Sequence, residues 1–270
     1  MLILLAMILS VVAAVVIGLA LWISRCSGSL PRGERLERIM RSPNWRDGEF
    51  RNIDPTPQMT PQKGFVAIMY DFLFHKPKNL RPHDEIPSIK TDLHTLDRNE
   101  ECYIWFGHSS YLIQSGGMRF LVDPVLTDRL PMSVVMKPFR GSDAFTPDDM
   151  PDIDVLIITH DHWDHLDYHT VLRLRERIGR VVCPLGVGSH FEYWGFAPER
   201  ITELDWNESF AVADGIAIHA LPARHFSGRG LKRNRTLWAS YMLQTPERNI
   251  FLSGDGGYGS HLAAIGQQFP

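Results

Sequence analysis

Thr159-His-Asp-His-Trp-Asp-His-Leu-Asp167 follows directly on the apolar run Asp154-Val-Leu-Ile-Ile158, and this join decides how the chain is read. A short unbroken run of branched apolar residues predicts a strand buried on both faces, the mark of a sheet covered by helices. In an open α/β sheet, sites form where such strands end. Three histidines and three aspartates crowd the nine residues after this one. His160 and His162 are two apart and can point the same way from an extended loop, while Asp164 and His165 follow as the chain turns into a helix. Imidazole and carboxylate so placed suit one divalent ion or two neighbouring ones. Partly buried groups of these kinds need partners, and a cation satisfies them together, whereas a solvated acidic loop has no use for three histidines. The spacing differs from the His-Glu-x-x-His of a zincin helix.

Working outward, Cys102-Tyr-Ile-Trp-Phe106 and Tyr111-Leu-Ile113 predict two strands around the turn Gly107-His-Ser-Ser110, and Arg119-Phe-Leu-Val122 a third ending at Asp123-Pro124. Residues 125–150 read as a long loop able to overhang a site. After the histidine-rich stretch, a helix is expected from Tyr168 to Ile178 with Gly179 as its stop. Further strands are expected at Arg180–Cys183, Ile201–Leu204, Phe210–Val212, Ile216–Leu221, Leu237–Leu243 and Ile250–Leu252, with a short helix between Gly186 and Trp194. His219 falls inside one of these strands and reads as a packed residue.

Ahead of this domain the chain is unlike the rest. Met1 to Ser24 holds no Asp, Glu, Lys or Arg, and exceeds the roughly 18 apolar residues that mark a membrane-spanning helix. A cleavable signal peptide is the rival reading, but there is no basic n-region and no clear small-x-small site, so an uncleaved anchor over residues 1–24 is favoured. Arg25 stands where a lipoprotein signal ending at Cys26 would need a small residue. Between Arg25 and Arg51, seven arginines face four acidic residues. The positive-inside rule then keeps the body of a single-pass protein on the cytoplasmic side. Residues 25–100 read as a juxtamembrane segment. Within it, Pro31 to Arg41 forms a solvated amphipathic helix, Pro43 to Lys63 an extended Pro-rich arm, and Phe65–Phe74 an apolar run packed on the core in preference to touching lipid or acyl chains. The folded domain is expected over 101–270.

At 270 residues the chain can bury a sizeable core. A net charge of −3 leaves no basic excess to neutralise phosphates, which argues against nucleic acid as partner. Three cysteines without paired spacing imply no disulfide framework.

The pattern His160-x-His162-x-Asp164-His165 after an apolar strand resembles the signature of the metallo-β-lactamase superfamily, and other landmarks follow in order. Gly107-His-Ser-Ser-Tyr-Leu-Ile113 and Phe120-Leu-Val-Asp-Pro124 are similar to the opening strands of the branch containing N-acylphosphatidylethanolamine-hydrolysing phospholipase D and the sugar-phosphate lactonases. Pro222-Ala-Arg-His-Phe-Ser-Gly-Arg229 resembles its third metal-histidine segment, and Ser253-Gly-Asp-Gly-Gly-Tyr258 the segment bearing its bridging aspartate. Phe50-Arg-Asn52 and the Pro-rich arm also resemble the phospholipase branch, so the likeness runs from about residue 49 to 270.

The resemblance implies an α/β (α+β) fold, a four-layer αββα sandwich, with two Zn²⁺ ions per complete site. His160, His162 and His225 would hold the first ion, Asp164 and His165 the second, and Asp255 would bridge them. A pair of divalent ions activates water and stabilises charge on an attacked phosphoryl or carbonyl centre. The expected function is a phospholipase D-type phosphodiesterase on N-acylphosphatidylethanolamine-like lipids, with Asp164 orienting or deprotonating the nucleophile. A lactonase or other ester hydrolase on a soluble small molecule, and a catalytically inactive metal-binding or scaffold protein, are the alternatives. Family members carry one more metal histidine beyond the bridging aspartate. His261 lies too close to Asp255 to replace it, so a C-terminally truncated sequence is expected. His108 and Asp123 are candidates to line the cleft, and Ser227 and Arg229 to bind a phosphate.

Overall fold

The computed structural model describes residues 1–57, 64–128 and 137–270. Helix α1 (Leu2–Ser27) covers the charge-free start and keeps the apolar side chains of residues 3–21 exposed, whereas Trp22 packs against the core and Cys26 is fully buried. Its stretch Ile3–Ser27 is long and apolar enough to cross a membrane, as a signal sequence can also be.

Helix α2 (Gly33–Met40) was expected to be solvated, yet it lies on the domain. Its Ile39 is fully buried, and Arg35 reaches Glu203 and Glu192 at 2.7 Å each. The supposed extended arm begins with a hairpin, β1 (Trp45–Arg46) and β2 (Glu49–Phe50). Its turn, Asp47-Gly48, takes the left-handed φ pair (53° and 81°) that a two-residue hairpin requires, and Phe50 is buried between the later sheets. The rest of that arm, residues 58–63, lies outside the described residues. Helix α3 (Phe65–Phe74) departs from expectation in the other direction. Val66, Tyr70, Leu73 and Phe74 are more than half exposed, so the run is not packed into the core.

Six strands make the first sheet, in the order β3 (Cys102–Trp105), β4 (Tyr111–Ser115), β5 (Met118–Val122), β6 (Ile153–Ile157), β7 (Ile178–Pro184) and β8 (Ile201–Leu204). The first three pair antiparallel, and β5 through β8 run parallel. In β6 the period of two sends Val155 and Ile157 to one apolar core and Leu156 to another, as a doubly buried strand requires. The second sheet is antiparallel, β12-β11-β10-β9, from β9 (Ser209–Ala213), β10 (Ile216–Leu221), β11 (Ser240–Gln244) and β12 (Asn249–Leu252).

The two sheets face each other across Ile113, Phe120, Val155 and Val182 on one side and Ile218, Tyr241, Leu243 and Leu252 on the other. The outer face of the first sheet is covered by α4 (Tyr168–Leu174) and α5 (Gly188–Tyr193), through Val171, Leu174 and Phe191. The outer face of the second carries α6 (His261–Gln268), whose Ile265 meets Leu221 and Met242. Helix, sheet, sheet and helix therefore stack in the expected sequence.

Helix α4 ends sooner than the periodicity suggests. Ile178 pairs with Ile153 at the start of β7, and Gly179 lies inside that strand, where a Cβ would stand 2.8 Å from the Asp154 carbonyl. Gly179 serves close backbone approach and is no helix stop.

Candidate metal centre

Thr159 to Asp167 leaves the carboxyl end of β6 and is held on both flanks before any metal is considered. At its start the Asp123 carboxylate accepts from Thr159 N (2.8 Å), Thr159 Oγ1 (2.6 Å) and His165 Nδ1 (2.8 Å). At its end Asp167 caps α4, accepting from Thr170 N at 3.0 Å. Between them a tight turn, with Leu166 N donating to His162 O at 2.9 Å, brings Asp164 and His165 back beside His160 and His162.

His225 arrives from the segment after β10. Its main chain is gripped by Asn52, which accepts from His225 N at 3.0 Å and donates to His225 O at 2.8 Å. The indole of Trp238 donates to the same Asn52 oxygen at 3.1 Å. Asp255 follows β12, set by Gly254 at φ +54°, where a Cβ would come within 2.9 Å of Thr159.

The six expected ligands converge. His160 Nε2 lies 2.9 Å from His162 Nδ1, and His225 Nε2 lies 3.2 Å from the same atom. His165 Nε2 approaches Asp255 Oδ2 at 3.2 Å, and His225 Nε2 stands 4.0 Å from it. Three groups each place their ligand atoms within 4.8 Å of one another: His160, His162 and His225; His108, Asp164 and His165; and His160, His165 and Asp255. The last joins the other two, so Asp255 stands where a bridging ligand would.

His108 belongs to the second group, with Nε2 3.1 Å from Asp164 Oδ2. It adopts φ +45°, a left-handed conformation held by the Trp105 indole donating to its carbonyl at 2.8 Å. His108 thus lines the cavity and also stands among the possible ligands.

Asp123 is buried and orients His165. Ser227 is buried too and donates to Thr236 O at 2.6 Å. Arg229 is buried and spent on main-chain carbonyls, so neither Ser227 nor Arg229 reaches the centre to bind a phosphate. His219 points away, within 3.1 Å of Gln244 Oε1 and against the Phe269 ring. His261 packs near Asp54 and belongs to none of the three groups.

Electrostatics leaves His160 and His225 free to bind a metal and makes His165 give up a proton first. Burial, followed by the neighbouring imidazoles, depresses His160 well below its ordinary value and brings His225 to about 4, so both present neutral nitrogens at pH 7. Burial opposes charge on His165 as well, but Asp123 and then Asp255 outweigh it and hold the group up at about 10. With Nδ1 given to Asp123, His165 Nε2 is left buried without a hydrogen bond, because the 3.2 Å approach to Asp255 lacks the required geometry. Three imidazole nitrogens in mutual contact and an orphaned fourth beside two carboxylates make a donor set that a pair of divalent ions fits.

A cavity of about 1390 Å³ opens at Asp164 and His108. Phe72, Leu80, Trp105, Phe139 and Phe145 give it apolar walls, and Lys76, Lys78, Arg81 and Lys137 share its lining with Asp71, Asp128, Asp143 and Asp164.

Residues 118–269 match the β-lactamase superfamily domain. An uncharacterized protein of Mycobacterium tuberculosis is 40% identical over 229 residues, covering 84% of this chain and 61% of its own length. The chain thus spans about three-fifths of that relative. The N-acyl-phosphatidylethanolamine-hydrolyzing phospholipase D 1 of Caenorhabditis elegans is 33% identical over 168 residues, 57% of this chain and 46% of its own. Among solved structures, CmlA, a diiron β-hydroxylase from Streptomyces venezuelae, aligns with 29% identity and a TM-score of 0.49, over 62% of this chain and 32% of its own. With more than half of its residues matched, and with His160-x-His162-x-Asp164-His165 on the loop after β6, the chain belongs to the β-lactamase superfamily.

Proposed function

We propose that the chain is a dinuclear zinc hydrolase that cleaves a phosphodiester in an N-acylphosphatidylethanolamine-like lipid. The observation that carries this reading is the large cavity with aromatic and aliphatic walls that reaches Asp164 and His108, its polar lining divided between bases and acids. An acyl chain fits its aromatic walls. The worm relative hydrolyses a lipid of this class by its name.

His160, His162 and His225 would hold one ion and Asp164 and His165 the other, with Asp255 available to both. Bound there, the pair supplies an activated water and Lewis-acid stabilisation of the attacked phosphorus. Burial raises the Asp164 carboxyl, but the bond from His108 and the charge of His165 bring it to about 2, so it is ionised throughout the working range. In that state it orients the nucleophile by accepting its hydrogen bond. Asp123 fixes the His165 ring so that Nε2 faces inward. Residues 1–24 anchor the protein in a membrane with residues 101–270 on the cytoplasmic side, and the exposed apolar residues of α3, whose Phe72 lines the cavity, rest on the same lipid surface.

The test is a substrate panel of lipid phosphodiesters, lactones and soluble diesters, with metal content measured on the same preparation and His162→Ala as control. Turnover of the lipid diester, lost in the variant, is the expected result. Turnover of lactones alone sinks the phosphodiesterase reading, and protein that folds with no metal sinks the enzyme.

A further inference from the structure

The carboxyl end of a helix leaves carbonyls without intrahelical partners. In α1 two of these, on Cys26 and Ser27, accept from one guanidinium: Arg229 Nη2 donates to Cys26 O at 3.0 Å and Nε to Ser27 O at 3.1 Å. The remaining donor, Nη1, bonds Asp161 O at 3.0 Å and Leu166 O at 2.7 Å. Those two carbonyls bracket the stretch that carries His162, Asp164 and His165. One buried side chain therefore touches the end of the apolar helix and both ends of the ligand loop.

The surroundings leave this guanidinium little freedom. Its Cζ lies 4.0 Å from the Trp163 ring and 5.4 Å from the Trp194 ring. Trp163 returns a bond to the Arg229 carbonyl at 3.1 Å, and Trp194 donates to Arg25 O at 2.9 Å. Four carbonyls and two aromatic faces suit a planar cation with a fixed fork of donors. Burial lowers its pKa to about 10, which leaves it charged at neutral pH.

A second seam runs parallel. Gly28, at φ +79°, packs so closely that a Cβ would lie 2.3 Å from His190 Nδ1. His190 Nε2 is 3.2 Å from the Asp161 carboxylate, which also accepts from Gly228 N at 2.7 Å and Thr236 Oγ1 at 2.8 Å. The helix end thus bears on Asp161, the residue between two ligands, by side chain and by main chain.

We propose that the last turn of α1 is a structural part of the metal centre, with Arg229 as the positioning residue that locks it to the ligand loop. Hydrophobic anchoring and metal binding are then one mechanical unit, and displacing the helix end loosens the metal. The inference rests on the metal reading of the site.

The experiment uses the full-length chain in detergent, loaded with Co²⁺ as a visible probe. Affinity is measured by competition with a chelator, and the visible spectrum reports ligand geometry. Arg229→Ala removes the lock, and Gly28→Ala displaces the helix end while leaving Arg229 in place. Leu243→Ala, a cavity in the inter-sheet core, is a control for general destabilisation. Both test variants are expected to lose about 10–100-fold in Co²⁺ affinity, the range for residues that orient metal ligands, with an altered spectrum. Arg229→Lys, which keeps the charge and loses the fork, should recover only part of it. The control melts lower with an unchanged spectrum. If Gly28→Ala binds Co²⁺ as the parent does, the coupling is refuted even where Arg229→Ala fails to fold. If the parent chain binds no Co²⁺, the metal reading itself falls and the inference with it.

Discussion

Replacing Asn52 with alanine tests whether a residue far outside the histidine motif governs the metal. Asn52 holds His225 through both main-chain groups, at 3.0 Å and 2.8 Å, and takes the Trp238 indole at 3.1 Å. In Asn52→Ala the indole keeps its other acceptor, Ala223 O at 2.9 Å, so the loss falls on His225 N and O. Two half-buried backbone groups deprived of partners cost about 1–3 kcal/mol together, or roughly 2–4 °C in Tm for each kcal/mol in a chain of this size. A loosened ligand main chain adds a loss of about 10–100-fold in metal affinity at the His160, His162 and His225 cluster. The Asp164 and His165 cluster, which Asn52 does not touch, should keep its affinity. Equilibrium dialysis against graded zinc, with metal counted by mass spectrometry, separates the two steps, and a thermal melt gives the stability. A lowered melt with both zinc affinities unchanged would refute the reasoning, because it would make Asn52 a loop staple without influence on the ligand.

The two clusters should also load at different pH. His225, at about 4 in the metal-free protein, offers a neutral nitrogen down to about pH 5, so zinc affinity at its cluster should stay flat from pH 8 to that point and fall below it. His165, held at about 10, must release a proton to bind, so affinity at its cluster should rise about tenfold per pH unit across the neutral range. A zinc titration repeated between pH 6 and 9 reads both slopes, and parallel slopes would contradict the assignment. Gly254→Ala puts a Cβ 2.9 Å from Thr159 at φ +54°, and should cost about 1–3 kcal/mol and displace Asp255. An unchanged melting temperature would show that the turn adapts freely. Leu73→Asp, on the exposed face of α3, should reduce liposome co-sedimentation and turnover of vesicle-borne lipid, and leave a soluble diester unaffected. Equal loss on both substrates would remove α3 from any role at the lipid surface.

Much of the candidate centre was legible because most of its proposed ligands are local. His160, His162, Asp164 and His165 share one loop, and the doubly buried β6 announced its position. His225 and Asp255 were reached only through resemblance, since a histidine after one strand and an aspartate after another carry no spacing rule of their own. Arg229 shows the limit most plainly. A basic residue four positions past a metal histidine suggests an anion site, and nothing local reveals that the end of α1, some 200 positions away in the chain, will bury it. Asn52 was hidden for the same reason, being joined to His225 only when the hairpin β1–β2 settles on the sheets. Phe65–Phe74 failed differently. Apolar content shows that a segment prefers to leave water but not what it meets, and this helix keeps most of that surface exposed.

The ligands have one further consequence, for the order in which the molecule assembles. His160, His162, Asp164 and His165 lie on the first sheet's side of the sandwich, and His225 and Asp255 lie on loops of the second. Neither ion's proposed ligand set is complete until the sheets have docked through contacts far apart along the chain. Metal capture is then a late event, beyond the folding barrier. Interactions formed there scarcely change how fast a chain folds and chiefly slow its unfolding. Zinc should therefore act on this protein as a latch, giving the native state a longer lifetime without hastening its arrival.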